Sequence, residues 1–359
     1  MRNRELVVGG AGPAGLAAAI VLARAGRPVT VVERRPMVGA RFNDDYQGIE
    51  NWTVEEDALE ELKGFGIETT WWHRGFSEAI VVDWVRRQRH VRDYRSMFYL
   101  VRRGSGPGSL DHALLTQARD AGVSFRFGEA VDRGDVDIIA TGPIGRPFAV
   151  AAGVTLTCNR APEACVILDE RIAPGGYAYV LVADGHATLA TVLFHDFQSA
   201  RERLDGTIEA ATRLLGALDL DGARYWGGYG AYSTFRPHAS GEALRVGEGA
   251  GFQDFLFGFG IRSAMLSGAL AARSILASTS YDELWQRRLA PFVRASLVNR
   301  TMYDTLGDLA KRAIWHFVAG SRRPRRALRS LYSFSPAHRL LLRGVGVRSS
   351  FFENRTTRV

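Results

Sequence analysis

Six residues, Gly10-Ala11-Gly12-Pro13-Ala14-Gly15, constrain this chain more than any others. They follow the apolar run Leu6-Val7-Val8 and precede a helix-like stretch from Leu16 to Arg24. Glu33 stands 18 residues after Gly15, at the end of Val29-Thr30-Val31-Val32. The order strand, glycine turn, helix, strand, acid is the fingerprint of a dinucleotide-binding βαβ unit. Gly10 permits the tight turn, Gly12 lets the backbone approach a pyrophosphate, and Gly15 lets the helix pack closely on the strand. Pro13 and Ala14 open that helix, whose N-terminus offers free N–H groups and a positive dipole end to an anion. Glu33 can accept hydrogen bonds from ribose hydroxyls.

The chain has 359 residues, 46% of them hydrophobic, enough to bury two domains or one large composite domain. No apolar run reaches the ~20 residues of a membrane span. The first strand begins too near the start to leave room for a signal peptide. Cys158 and Cys165 match no zinc or redox spacing and read as two buried free thiols. The eight histidines have no metal-like spacing, so no metal is expected. These features together point to the cytoplasm.

A second glycine-bearing stretch sharpens the first. Gly247-Glu248-Gly249-Ala250-Gly251-Phe252 is followed by Gly258-Phe259-Gly260-Ile261 and then by a helix-like run from Ser263 to Gly268. The pair resembles the FAD-dependent oxidoreductases of the para-hydroxybenzoate hydroxylase fold. The resemblance implies that the first motif holds the ADP half of FAD. Glu248, Gly249, Gly258, Gly260 and Ile261 then hold the ribityl chain and flavin ring. Two positions differ from that pattern: Glu248 stands where the group has aspartate, and Phe255 where it usually has proline.

Further segments fit the same group. Ser109 to Ala121 reads as a helix, and the resemblance gives Arg103, just before it, a contact to the flavin nucleotide. The strand Val123 to Phe127 leads to Val131, which would border the adenine. Val136 to Ala140 is a short apolar strand that ends in Thr141 and Gly142, small residues suited to backbone contact with FAD. Arg34 and Arg41 follow the ribose-binding acid and are candidate contacts to adenosine or pyrophosphate. No second strand–GxGxxG–helix unit is present, so NAD(P)H would dock transiently or a separate reductase would supply electrons.

Between the two motifs the pattern changes. Val154 to Thr157, Ala164 to Leu168, Tyr177 to Val182 and Ala187 to Phe194 read as antiparallel strands, with Asp184-Gly185 as a hairpin turn. The expected fold class is α/β. A discontinuous FAD-binding Rossmann-like domain (1–70, 100–150 and 235–282) carries an inserted antiparallel substrate sheet (71–99 and 151–234). A helical, basic C-terminal region spans 283–359. Smaller expectations are helices over 54–62, 207–218, 282–296 and 301–318. Residues 86–90 read as a basic turn, 320–329 as a proline-broken connector, and 339–343 as a short helix.

Pro174-Gly175-Gly176-Tyr177-Ala178-Tyr179 is similar to a strand of the geranylgeranyl-reductase-like group, where it lies over the flavin and shapes an apolar channel. That likeness makes Tyr177 and Tyr179 the candidate catalytic acids. It implies hydride transfer from flavin N5 to a C=C bond of an apolar, isoprenoid-like substrate. The cysteine used by those reductases has no counterpart in Val38 to Asn43. One alternative is a monooxygenase acting on an aromatic or apolar substrate through a flavin hydroperoxide. A non-catalytic flavin-binding scaffold is another.

Charge is uneven. The chain carries +8, yet Lys311 to Val359 holds twelve basic residues and one acid. With Trp315, Phe317, Leu328, Leu331 and Tyr332 nearby, this tail reads either as a solvated cap or as a contact for anionic lipid or an acidic redox partner. A peripheral membrane location therefore stands beside the cytoplasmic one. No recognition motif accompanies the charge, so nucleic acid is not an expected partner.

Overall fold

The computed structural model describes residues 4–143, 145–231 and 243–341. The chain opens with β1 (Leu6–Gly9), α1 (Pro13–Arg24) and β2 (Val29–Glu33), then β3 (Tyr46–Glu50) and α2 (Ala58–Gly64). β4 (His73–Phe76), β5 (Glu78–Val82), β6 (Gln88–Arg92) and β7 (Phe98–Arg102) lead to α3 (Leu110–Asp120), β8 (Ser124–Phe127) and β9 (Ile138–Ile139). β10 (Ala149–Thr157), β11 (Glu163–Ile167), β12 (Tyr177–Ala183) and β13 (His186–Leu193) precede α4 (Ala200–Leu215) and β14 (Arg224–Gly230). β15 (Leu244–Arg245) is followed by α5 (Ile261–Ala277), α6 (Tyr281–Arg288), α7 (Ala290–Leu306), α8 (Asp308–Ala319) and α9 (Pro324–Leu331).

The first sheet is parallel throughout, in the order β15-β9-β1-β2-β8. β2 is buried along almost its whole length, as a parallel strand covered on both faces must be. α1 packs on α3 and α5. Two glycines set how closely these parts approach. A Cβ on Gly15 would overlap the carbonyl oxygen of Gly10, and one on Gly268 that of Ala14. The α1–turn and α1–α5 contacts are therefore backbone against backbone.

The second sheet has seven strands in the order β14-β10-β13-β12-β11-β5-β6. All its pairings are antiparallel except β5 with β11. Its two faces follow from strand alternation. Ala178, Val180 and Val182 of β12 turn into a core shared with Leu204, Ala211 and Leu215 of α4. Tyr177, Tyr179 and Leu181 point to the opposite face. The β12–β13 turn is Asp184-Gly185, with φ of 43° and 79°, as its sequence predicts. β3, β7 and β4 form a small third sheet.

Several expected boundaries move. The helix expected at 54–62 starts at Ala58, because the Asp57 carboxylate caps it by accepting from Leu59 N at 3.0 Å. The helix expected at 207–218 begins at Ala200 and stops at Gly216, which has φ +81°. The 282–296 helix divides into α6 and α7, with Pro291 in the first turn of α7. Residues 320–329 are not a connector: Pro324 opens α9, since proline's missing N–H costs nothing in a first turn. The basic turn ends earlier than expected, because Gln88 already pairs in β6. Part of the 339–343 expectation lies outside the described residues. Among the described residues no helix is long and apolar enough to cross a membrane.

Candidate active site

The carboxyl ends of β1, β2 and β9 lie side by side in the parallel sheet, and that edge is the usual place for a ligand on an open α/β sheet. Gly10, at φ 113°, lies against the carbonyl of Ala140, and a side chain there would collide with it. The Val131 side chain lies over Gly9. Thr141 is exposed, and Gly142 follows at φ 78°. Glu33 holds the turn through both carboxylate oxygens: Oε2 accepts from Ala11 N and Oε1 from Arg35 N, each at 2.8 Å. Gly12 caps α1 with no side-chain hydrogen bond, and nothing lies within 4 Å of where its Cβ would be. The start of α1 is therefore open, as an anion site requires.

The second turn sits directly on the first. A Cβ on Gly247 would come within 2.9 Å of the Ala14 Cβ, and Gly247 N donates to Ser267 Oγ at 2.9 Å. Glu248 Oε1 accepts from Ala231 N at 3.2 Å. Burial pushes the Glu248 carboxyl up to about 7, against the opposing pull of the Arg41 guanidinium. Gly249 continues the same short turn. Asp254 ties the following loop together, accepting from Leu256 N at 2.9 Å, Phe257 N at 3.2 Å and Tyr332 Oη at 2.8 Å. Burial raises it to about 7. The loop delivers Gly258 and Gly260 to the start of α5, which has no side-chain cap. Arg262 fixes that first turn from behind, donating to Glu61 at 2.7 Å and Glu50 at 3.3 Å in a fully buried cluster.

A cavity of about 490 Å³ opens beside the second turn. Its polar lining includes Arg35, Arg41, Glu248 and Gln253, together with the backbone of Gly258 to Ile261. The exposed face of the second sheet contributes Tyr177 and Tyr179. Val81, Val91 and Met97 form an apolar wall, closed by Trp315 of α8 and Leu328 of α9. Trp226 also lines it, with its ring lying over Gly153.

The two tyrosines differ. Tyr177 Oη donates to the Phe257 carbonyl at 2.6 Å, so its proton is already committed to the flanking loop. Tyr179 Oη has no hydrogen-bond partner among the described residues and faces the cavity. Burial raises the Tyr179 phenol well above its ordinary value, and Asp45 and Tyr177 push the same way, so it keeps its proton.

Arg41, Glu248, Gly258, Gly260, Ile261, Tyr177 and Tyr179 thus share one cavity, whereas Gly10 to Gly15 lie outside its lining and meet it only through the packing of Ala14 on Gly247. Arg34 is exposed and outside the lining, whereas its neighbour Arg35 is part of it. Arg103 is spent elsewhere. It forms a buried bidentate pair with Asp111, both contacts at 2.8 Å, donates to Gln47 at 3.1 Å and stacks on Phe42. It supports Gln47 and Phe42, which do line the cavity. Phe255 does not form the cavity wall; it is buried against Phe148. The sequence reading missed Gln253, whose buried Oε1 has no partner, and missed Trp226 as lining. Nothing in their local spacing marks either one.

Comparison with known proteins agrees with this geometry. A family model described as flavin containing amine oxidoreductase matches residues 13–58. Dihydrolipoyl dehydrogenase of Bacillus subtilis is 26% identical over 236 residues, which cover 61% of this chain and 46% of that protein. The chain thus spans less than half the length of this curated relative. A geranylgeranyl bacteriochlorophyll reductase-like protein from Thermoplasma acidophilum superposes with a TM-score of 0.72, covering 94% of this chain and 98% of that one at 18% identity. The chain shares the fold of that protein. A 2-methyl-3-hydroxypyridine-5-carboxylic acid oxygenase shares it, with a TM-score of 0.56 and 15% identity over 92% of this chain and 99% of that one. The α/β class and the Rossmann-like parallel sheet expected from the sequence are both present.

Proposed function

We propose that the chain is an FAD-dependent oxidoreductase that reduces a C=C bond of an apolar substrate. The supporting observation is a mostly apolar cavity that reaches the uncapped start of α5, with the uncapped start of α1 packed against the neighbouring turn through Ala14 and Gly247. Those starts fit FAD: unspent N–H groups at α1 suit a pyrophosphate, and those at α5 suit the polar edge of a flavin ring. The unpartnered Gln253 Oε1 adds a buried acceptor facing the same space. Glu33 would accept from ribose, and Glu248 would meet the ribityl hydroxyls.

FAD, if bound, would supply a hydride equivalent. The protein's own part is positioning, exclusion of water and one proton. Val81, Val91, Met97 and Trp315 keep the substrate dry and oriented. Tyr179 Oη holds the proton that completes saturation of the double bond. Tyr177 keeps the Asp254–Gly258 loop in place by its bond to Phe257. NAD(P)H or a separate reductase supplies the electrons. Oxygen insertion is the second reading, since an oxygenase shares the fold.

The test is a visible spectrum of the purified protein, followed by anaerobic reduction with NADPH and addition of apolar alkenes. A product heavier by two hydrogens carries the reductase reading. A product heavier by one oxygen, formed in air, assigns the oxygenase instead. A colourless protein that FAD cannot reconstitute removes both and leaves a scaffold.

A further inference from the structure

We propose that the tip of the β5–β6 hairpin and the outward face of α8 form one docking surface for a membrane of anionic phospholipid. Trp84 at the hairpin tip meets α8 directly. The Arg312 guanidinium lies 5.0 Å over its ring, and the His316 ring lies edge-on at 5.9 Å. Arg323, at the start of α9, lies 5.8 Å over Tyr94. The hairpin tip thus packs on α8, and Arg323 joins the start of α9 to the other end of β6.

That face is both apolar and basic. Leu309 and Phe317, eight residues apart on α8, are 80% and 52% exposed. Val85 is 54% exposed and Tyr94 is 72% exposed. From Trp84 to Arg95 there are five arginines and one acid, Asp93, which is buried and accepts from Arg325 N at 3.0 Å. From Lys311 to Leu331 there are seven lysines and arginines and no acid, of which Lys311 pairs with Glu170, Arg329 pairs with Glu55 and Arg325 is buried. Asp83 turns inward, accepting from Val85 N and Arg87 N. Arg87, Arg312, Arg322 and Arg323 have no acidic partner among the described residues, and Arg86 meets an acid only through its charge interaction with Asp169. Exposed apolar side chains set among arginines suit a lipid surface, where the apolar groups enter the acyl boundary and the cations meet headgroups. An acidic protein would match the charge but leave Leu309 and Phe317 uncovered.

The inside of the same elements explains the placement. Trp315 and Val318, on the inner face of α8, line the cavity, as do Val81 and Val91 of the hairpin. A substrate drawn from the bilayer would reach the cavity without crossing open water. This purpose rests on the proposed function; the docking itself does not. The surface also differs from the one expected from sequence. Leu328 and Tyr332 are buried and Trp315 lines the cavity, so none of the three meets lipid.

The experiment is flotation of the full-length protein with phosphatidylcholine vesicles, with or without phosphatidylglycerol. Binding is expected only with phosphatidylglycerol and is expected to weaken with salt. Arg86→Glu with Arg312→Glu should weaken it by at least about 25-fold, since each surface arginine contributes roughly fivefold. Leu309→Ser with Phe317→Ser keeps the charge and should also weaken it, with an unchanged melting temperature for either pair. No flotation, equal flotation with neutral vesicles, or indifference to both variant pairs overturns the proposal. Flotation by a protein that cannot hold FAD would remove the redox reading and leave docking intact. Turnover of a detergent-dispersed alkene without flotation would do the reverse.

Discussion

Around α1 the closest contacts are backbone on backbone, whereas around the cavity they are side chain on side chain. Gly10 lies on Ala140, Gly15 on Gly10 and Gly268 on Ala14, each with no room for a Cβ. The cavity is instead walled by residues from β5, β6, β12, β14, α8 and α9, far apart in the chain. The first half is fixed by what is absent from the side chains, and the second by what they carry. The first should therefore tolerate almost no substitution, and the second should trade function for little stability.

The largest expected effect tests that contrast directly. Gly15→Val drives a branched side chain into the Gly10 carbonyl and should cost about 3 kcal/mol or more, with loss of bound FAD. Ala151→Val adds similar bulk to the cavity lining, where space is available, and should change stability by less than about 1 kcal/mol. Thermal unfolding with the flavin absorbance as a second readout compares them. Equal losses would break the contrast.

The next effect is kinetic. Tyr179→Phe removes a buried cavity phenol and should lower turnover by roughly 10²- to 10⁴-fold, the range of general acid catalysis. Its unfolding midpoint should stay close to that of the parent, because Tyr179 Oη holds no hydrogen bond among the described residues. Single-turnover oxidation of the reduced protein by substrate measures the step. Unchanged turnover would remove Tyr179 from the chemistry.

The same contrast explains what the sequence made legible. Steric demands of a βαβ turn fall on consecutive residues, so Gly10 to Gly15 and Glu33 stand out in one window. Strand alternation likewise exposed β10 to β13 and the Asp184-Gly185 turn. The parallel pairing of β5 with β11 joins residues far apart in the chain, and no local pattern announces it. Arg103 illustrates the same limit. Its place before α3 suggested a nucleotide contact, but only the folded chain shows the bidentate claim of Asp111 upon it. Trp315 and Leu328 read as surface residues of a basic tail until α8 and α9 fold their inner faces over the cavity.

Glu248 sharpens the comparison through pH. Its folded value of about 7 lies above the ordinary 4.5, so the folded state holds a proton that the unfolded chain releases. Stability of the FAD-free protein should therefore fall as pH rises from about 4.5 to about 7, by roughly 2–3 kcal/mol from this group. Glu248→Gln stays neutral and should flatten that part of the profile. Asp254, also raised to about 7, would retain its own contribution in the same window. Denaturant unfolding at stepped pH reads the difference, and parallel profiles for parent and variant would place the burial cost elsewhere.

The smallest effect falls on the residue that joins the two halves. Tyr177 stands on the second sheet, yet its hydroxyl belongs to the Asp254–Gly258 loop through Phe257. Tyr177→Phe keeps the ring, its packing near Trp315 and its place in the lining, and removes one hydrogen bond. The cost should be about 1 kcal/mol of stability. The Phe257 carbonyl is then left without its donor, and the loop carrying Gly258 loses its tie to β12. Turnover should fall less than for Tyr179→Phe, with FAD affinity weakened instead. A double variant decides whether the pair acts as one unit: independent roles predict additive losses, whereas a shared proton path predicts that Tyr177→Phe costs nothing once Tyr179 is gone.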